Sequence, residues 1–150
     1  MPAARVALLD DRLLIEELLV GLRQGRRRPT LFTTSCWYYR ACRAAVAGAG
    51  GHLSGPFQQL AAQEQERAIL SLLELRWDIG LPDPRATVLV MAEVALRHPQ
   101  LNLLNLEAAA SASLLNAEVW LSEQASKGVL PGVLDAERLR WTVVSLASEA

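Results

Sequence analysis

Short apolar runs alternate with longer helical patterns along the whole chain. The strand-like runs cover residues 5–9, 30–34, 118–122 and 140–146, with a short extended piece at 77–84. Helical spacing covers 11–22, 35–51, 57–76, 85–98, 101–117 and part of 124–139. Strands that alternate with helices in this way predict an α/β fold with a mostly parallel sheet of about five strands, flanked by helices. No linker divides the chain, so we expect a single domain over residues 1–150.

Charge and hydropathy exclude several classes of protein. The net charge of −1 gives no overall field that attracts nucleic acid or a membrane. No apolar run reaches the length of a membrane span, and the N-terminus lacks a signal peptide. The two cysteines and two histidines do not have zinc-site spacing. We therefore predict a cytoplasmic protein with neither a structural zinc nor a membrane anchor.

Oxygen-bearing side chains follow the predicted strands at the edge where open α/β sheets bind ligands. Asp10 and Asp11 follow the first strand, and Glu123 follows the run at 118–122. Asn105 and Glu107 lie near the start of the preceding helix. Such oxygen donors suit Mg²⁺ or Mn²⁺. Each also has a structural interpretation, since an aspartate at this position caps a helix, and an asparagine or glutamate can belong to a polar surface.

The order and spacing of these elements resemble the PIN domain family, the fold of the VapC-type toxin ribonucleases, over about residues 5–146. The resemblance rests on "ALLDDRLLIEELL", "TTSCWYYRACRA" and "NLEAAASASLLNAEVWLSE". It implies a three-layer sandwich and a catalytic set of Asp10, Asn105 and Glu123. Asp10 and Glu123 would be the metal ligands, with Asp11 and Glu107 as stand-ins.

The sequence departs from the family pattern at two acidic positions. The second carboxylate of the family falls near Tyr39–Ala41, where this chain has Arg40 and where no acid occurs between Glu17 and Glu64. Asn105 stands at the third acidic position and lacks a charge. Arg40 is a candidate for a fixed cation that pairs with Asp10 in place of the metal. The site is therefore predicted to be degenerate.

The one dense basic run of the chain has two interpretations. It contains Arg23, Arg26, Arg27 and Arg28. Guanidinium groups bind phosphate well, so the run is a candidate RNA-binding segment. A solvated loop between a helix and a strand would have the same composition.

Three functions follow from these observations. The favoured one is a PIN-like domain with weakened or lost ribonuclease activity that binds RNA or a protein partner. The second is an active endoribonuclease of the toxin type with Mg²⁺ or Mn²⁺ as cofactor. The third is a small α/β interaction module without nuclease ancestry. The resemblance further implies a homodimer and an antitoxin-like partner.

Overall fold

The computed structural model describes residues 5–22, 28–47 and 61–146. The strands are β1 (Val6–Leu9), β2 (Thr30–Thr33), β3 (Ile79–Gly80), β4 (Glu118–Leu121) and β5 (Trp141–Val143). The helices are α1 (Asp11–Leu19), α2 (Ser35–Ala47), α3 (Ala62–Leu73), α4 (Pro84–Arg97), α5 (Leu103–Leu115), α6 (Glu123–Ser126) and α7 (Leu130–Ala136). This is the order of elements that the sequence predicts, with one short extra helix, α6.

All five strands lie in one sheet in the order β3-β2-β1-β4-β5, and every pairing is parallel. β1 is central, and its Leu8 lies opposite Phe32 on one side and Val119 on the other. A parallel sheet places the carboxyl ends of its strands at one edge. Polar residues that follow β1, β2 and β4 therefore gather at that edge. The predicted α/β class is confirmed.

Helices cover both faces of the sheet and make a three-layer sandwich. Successive side chains of β1 point to opposite faces, so Ala7 and Leu9 pack in one core and Leu8 packs in the other. The first core includes residues of α1, α2 and α3, and the second includes residues of α4, α5 and α7. Both faces of the central strand are thus dry, which explains why its sequence is continuously apolar.

The alanine-rich segment of α5 packs against the sheet without exposed surface. Ala108, Ala109, Ala110 and Ala112 are all completely buried. Small side chains let a helix approach its neighbours closely, and α5 contacts both β1 and β4. The sequence predicts close packing of this segment, and the structure confirms it.

A buried glutamate joins α1 to the starts of two strands. The Glu17 side chain is 2% exposed and pairs with Arg28 before β2 and with Arg76 before β3. Its second oxygen accepts a hydrogen bond from the Leu22 backbone N–H at 2.7 Å. Two cations and a backbone donor satisfy this carboxylate, as a buried charge requires. The network lies at the amino edge of the sheet, opposite the ends of the strands.

Several elements are shorter than the sequence predicts. β5 covers three residues instead of seven, and β3 covers two residues ahead of the prolines at 82 and 84. The helix predicted at 57–76 runs from 62 to 73, and its first predicted residues lie outside the described part of the chain. The glycine cluster at 48–51 also lies outside it. Among the described residues, no helix has the length and apolar character needed to cross a membrane.

Candidate functional site

The side chain of Asp10 is completely buried where β1 gives way to α1. Oδ1 accepts a hydrogen bond from the Leu13 backbone N–H at 2.9 Å, which makes Asp10 the N-cap of α1. Oδ2 accepts two bonds from Ser122, one from its N–H and one from its hydroxyl, both at 2.8 Å. The carboxylate therefore ties β1, α1 and the end of β4 together.

Burial dominates the acid–base behaviour of Asp10. It raises the pKa of this carboxyl to about 6, because a charge is poorly solvated at this position. The neighbouring charge of Asp11 acts in the same direction, and the bonds from Leu13 and Ser122 oppose it. Burial of a charged carboxylate at this position is unfavourable, and three hydrogen-bond donors within the fold stabilise it.

Asp11 faces α2 and pairs there with Arg40. Its Oδ2 lies 3.1 Å from Arg40 Nε, with side-chain exposures of 8% for the aspartate and 52% for the arginine. This oxygen has no hydrogen-bond partner, so the contact is an ion pair without hydrogen-bond geometry. The predicted pairing of Arg40 with Asp10 is wrong, because Asp10 turns inward to cap α1. Burial raises the pKa of Asp11, and the charge of Arg40 opposes that rise.

Glu107 acts at the start of α2. Its Oε1 accepts a hydrogen bond from the Cys36 backbone N–H at 2.7 Å. The Thr34 hydroxyl accepts one from the Trp37 N–H at 3.1 Å, so two side chains satisfy the free donors of this helix end. Burial, followed by the charge of Glu107, raises the pKa of the Cys36 thiol to about 11. The thiol is therefore a poor nucleophile.

The other two predicted site residues lie on different helices, α6 and α5. Glu123 is the exposed first residue of α6, directly after Ser122. Asn105 lines a pocket whose walls include neither Asp10 nor Glu123. Glu123 follows Ser122, the residue that binds Asp10, so its backbone lies at the same sheet edge as Asp10. Within the described part of the chain, Asn105 makes no hydrogen bond to either acid. A joint catalytic role for these three residues stays a prediction.

The basic run is described only at its last arginine. Arg28 is half-exposed and pairs with Glu17. Arg23, Arg26 and Arg27 lie outside the described residues. RNA binding by this run also stays a prediction.

The donor set at the sheet edge fits a divalent metal poorly. A carboxylate offers about four lone-pair sites, and Asp10 already uses three of them inside the fold. Asp11 has a guanidinium against its buried oxygen. Within residues 5–22, 28–47 and 61–146, no three His, Cys, Asp or Glu side chains are grouped so that they could hold a metal ion. Mg²⁺ prefers hydrated, accessible carboxylates, and among the described acids of this edge only Glu123 is exposed.

Ser122 is the hydrogen-bond partner of Asp10 that the sequence does not predict. Its backbone and hydroxyl donors satisfy one oxygen of Asp10 across 112 positions of sequence. The available signal was a serine directly after a buried strand, between Leu121 and Glu123. Serines after strands are common in loops, so this one is recognised as a partner of Asp10 only once β1 is known to pair in parallel with β4.

Comparisons with known proteins bear on the fold. No protein-family model matches the sequence, and no curated protein matches it. A chain in the solved structure of VapBC-1 from nontypeable Haemophilus influenzae is similar to it, with 18% identity and a TM-score of 0.51. The match covers 92% of this chain and 97% of that chain. At this identity the likeness concerns the fold, which is PIN-like.

The pH dependence of stability tests the buried state of Asp10. Its pKa is about 6 in the fold against 3.8 for an exposed carboxyl, so the native state binds this proton more tightly than the unfolded chain does. The resulting stabilisation is complete below pH 3.8 and is lost as the pH rises through about 6. The loss amounts to about 2–3 kcal/mol. Urea unfolding between pH 4 and 7 should show it in the wild type, and Asp10→Asn should show a flatter profile. Equal slopes for the two proteins would contradict the assignment.

Proposed function

We propose that the chain is a PIN-like domain with a degenerate acidic site, which binds single-stranded RNA without cleaving it. The observation that carries the proposal is the use of Asp10 inside the fold. A metal ligand must present free lone pairs to an ion, whereas Asp10 is fully buried and accepts three internal hydrogen bonds. In this proposal no metal cofactor is required.

The pairing of Asp11 with Arg40 supports the loss of metal chemistry. Clustered carboxylates repel one another unless a cation lies between them. Arg40 supplies a permanent positive charge to Asp11 at 3.1 Å. This charge comes with the fold, so Asp11 is neutralised without an ion. An active Mg²⁺- or Mn²⁺-dependent endoribonuclease would need Asp10 to give up its internal hydrogen bonds.

RNA is favoured as the ligand by the fold and by the distribution of arginine. The similar chain belongs to VapBC-1, and the sequence resembles toxin ribonucleases of the VapC type. Arg28 is already engaged, because it pairs with Glu17 and shares that carboxylate with Arg76. Arg23, Arg26 and Arg27 are the members that we assign to phosphate contact.

A second function, protein association, is favoured by the outer face of α4. Val88, Leu89, Ala92 and Leu96 are all exposed on this helix. Their spacing of three and four residues places them on one stripe. Leu96 is 85% exposed. We propose this stripe as the contact surface for a second copy of the chain, with an antitoxin-like protein as the other partner to test.

Binding without metal tests the RNA proposal. A labelled single-stranded RNA should bind in the presence of EDTA, as measured by fluorescence anisotropy, and should stay intact after incubation with Mn²⁺. The combined variant of Arg23→Ala, Arg26→Ala and Arg27→Ala should lower the slope of log affinity against log salt by about 2. Arg43→Ala, an exposed arginine on α2, should leave the slope nearly unchanged. Cleavage that depends on Mn²⁺, or an unchanged slope in the combined variant, would contradict the proposal.

A charge placed on the α4 stripe tests association. Leu96→Asp should convert a dimer into a monomer, because a buried unpaired carboxylate costs several kcal/mol at an interface. Light scattering after size-exclusion chromatography measures the mass. Val20→Asp, at a position 70% exposed beside α1, is the matched control. A wild-type monomer, or a dimer that both variants retain, would show that the stripe is not the contact surface.

A further inference from the structure

A pocket lies at the turn between α4 and α5. Its volume is about 500 Å³, within the range of sites that hold small molecules. The turn contributes a continuous segment to its wall, α5 contributes Asn105, and the loop before α7 contributes Val129. The lining residues are His98, Pro99, Gln100, Leu101, Asn102, Asn105 and Val129.

The lining selects for a neutral ligand. Among the residues that the structure describes, no Asp, Glu, Lys or Arg lines it, so a phosphate or carboxylate finds no countercharge there. Pro99, Leu101 and Val129 provide apolar walls. Such a pocket suits a flat, uncharged ring with polar atoms on its edge.

Three side-chain amides give the pocket its hydrogen-bonding capacity. Asn102 uses its Oδ1 to accept a bond from the Asn105 backbone N–H at 2.9 Å, which leaves its NH₂ group available. Among the described residues, the side chains of Gln100 and Asn105 have no hydrogen-bond partner. An amide offers a donor beside an acceptor, which matches the edge of a nucleobase.

The imidazole of His98 is held in place at the rim. Its Nε2 lies 3.3 Å from Glu137 Oε2. Arg97 binds the same carboxylate through Nε at 3.0 and 3.1 Å and through Nη2 at 2.5 Å. A ring anchored in this way offers a fixed face, and histidine rings stack on unpaired bases.

We propose that this pocket binds a nucleobase, with the amides of Gln100 and Asn105 on the edge of the base and His98 against its face. The base can belong to single-stranded RNA or to a free nucleoside, since both present the same edge and ring. The RNA form of the proposal rests on the function proposed above, and the nucleoside form does not.

Calorimetry on the full chain tests the pocket with two probes. The first is a short single-stranded RNA, and the second is each of the four ribonucleosides, with ribose as a control for the sugar. Asn105→Ala and Gln100→Ala should each weaken binding about tenfold, as loss of one base contact does. Both side chains lack internal partners, so both variants should fold. Gln63→Ala, at an exposed position of α3, is the matched control.

The outcomes separate the pocket from the proposed function. RNA or nucleoside binding that the two pocket variants weaken, and that Gln63→Ala and ribose do not affect, supports the pocket. Nucleoside binding without RNA binding supports the pocket and overturns the RNA function. RNA binding that the pocket variants leave unchanged, with no nucleoside bound, overturns the pocket and keeps the RNA function. If neither probe binds, both proposals fail.

Discussion

The buried carboxylate of Asp10 joins three elements of the fold at one point. It ends β1, caps α1 and accepts both donors of Ser122 at the end of β4. Its own N–H also continues the pairing of β1 with β4, through a bond to the Trp120 carbonyl at 3.2 Å. Because β1 is the central strand, this junction fixes the edge at which α1, α6 and the start of α2 meet.

Much of the fold follows from local patterns in the sequence. The continuous apolar run at 5–9 predicts a strand buried on both faces, and the alanines of α5 predict close packing. Both results depend only on hydropathy and side-chain size, which act over short distances. The lengths of β3 and β5 are harder to predict from local hydropathy. β5 ends together with its partner β4, at the paired residues Leu121 and Val143. β3 ends at Gly80, ahead of Pro82, although its partner β2 continues to Thr33.

The roles within the candidate site were less accessible, because they depend on contacts between distant positions. Asp10 and Asp11 are adjacent and identical, yet one caps a helix and the other pairs with Arg40. Asp10 is the N-cap of α1 and Asp11 is its first residue, so the two side chains point in different directions. The sequence predicts that Arg40 pairs with Asp10, whereas the structure pairs it with Asp11. Ser122 became visible only through the pairing of β1 with β4.

The sheet edge and the turn between α4 and α5 differ in how many of their polar side chains already have a partner in the fold. At the sheet edge every described acid except Glu123 has an internal donor or cation, so little capacity is left for a metal. At the turn between α4 and α5 the side-chain amides of Gln100 and Asn105 have no partner among the described residues, so their capacity is open to a ligand. The two proposals, a degenerate acidic edge and a ligand pocket at this turn, both depend on this difference.

The most direct test of the degenerate acidic edge is a calorimetric titration of the wild-type protein with Mn²⁺ at pH 7, alongside Glu123→Gln. Glu123 is exposed, so its substitution should not disturb the fold. We expect no saturable heat up to millimolar Mn²⁺ in either protein. Saturable micromolar binding in the wild type that Glu123→Gln abolishes would show that the acids at the ends of β1 and β4 are metal ligands, and would contradict the account.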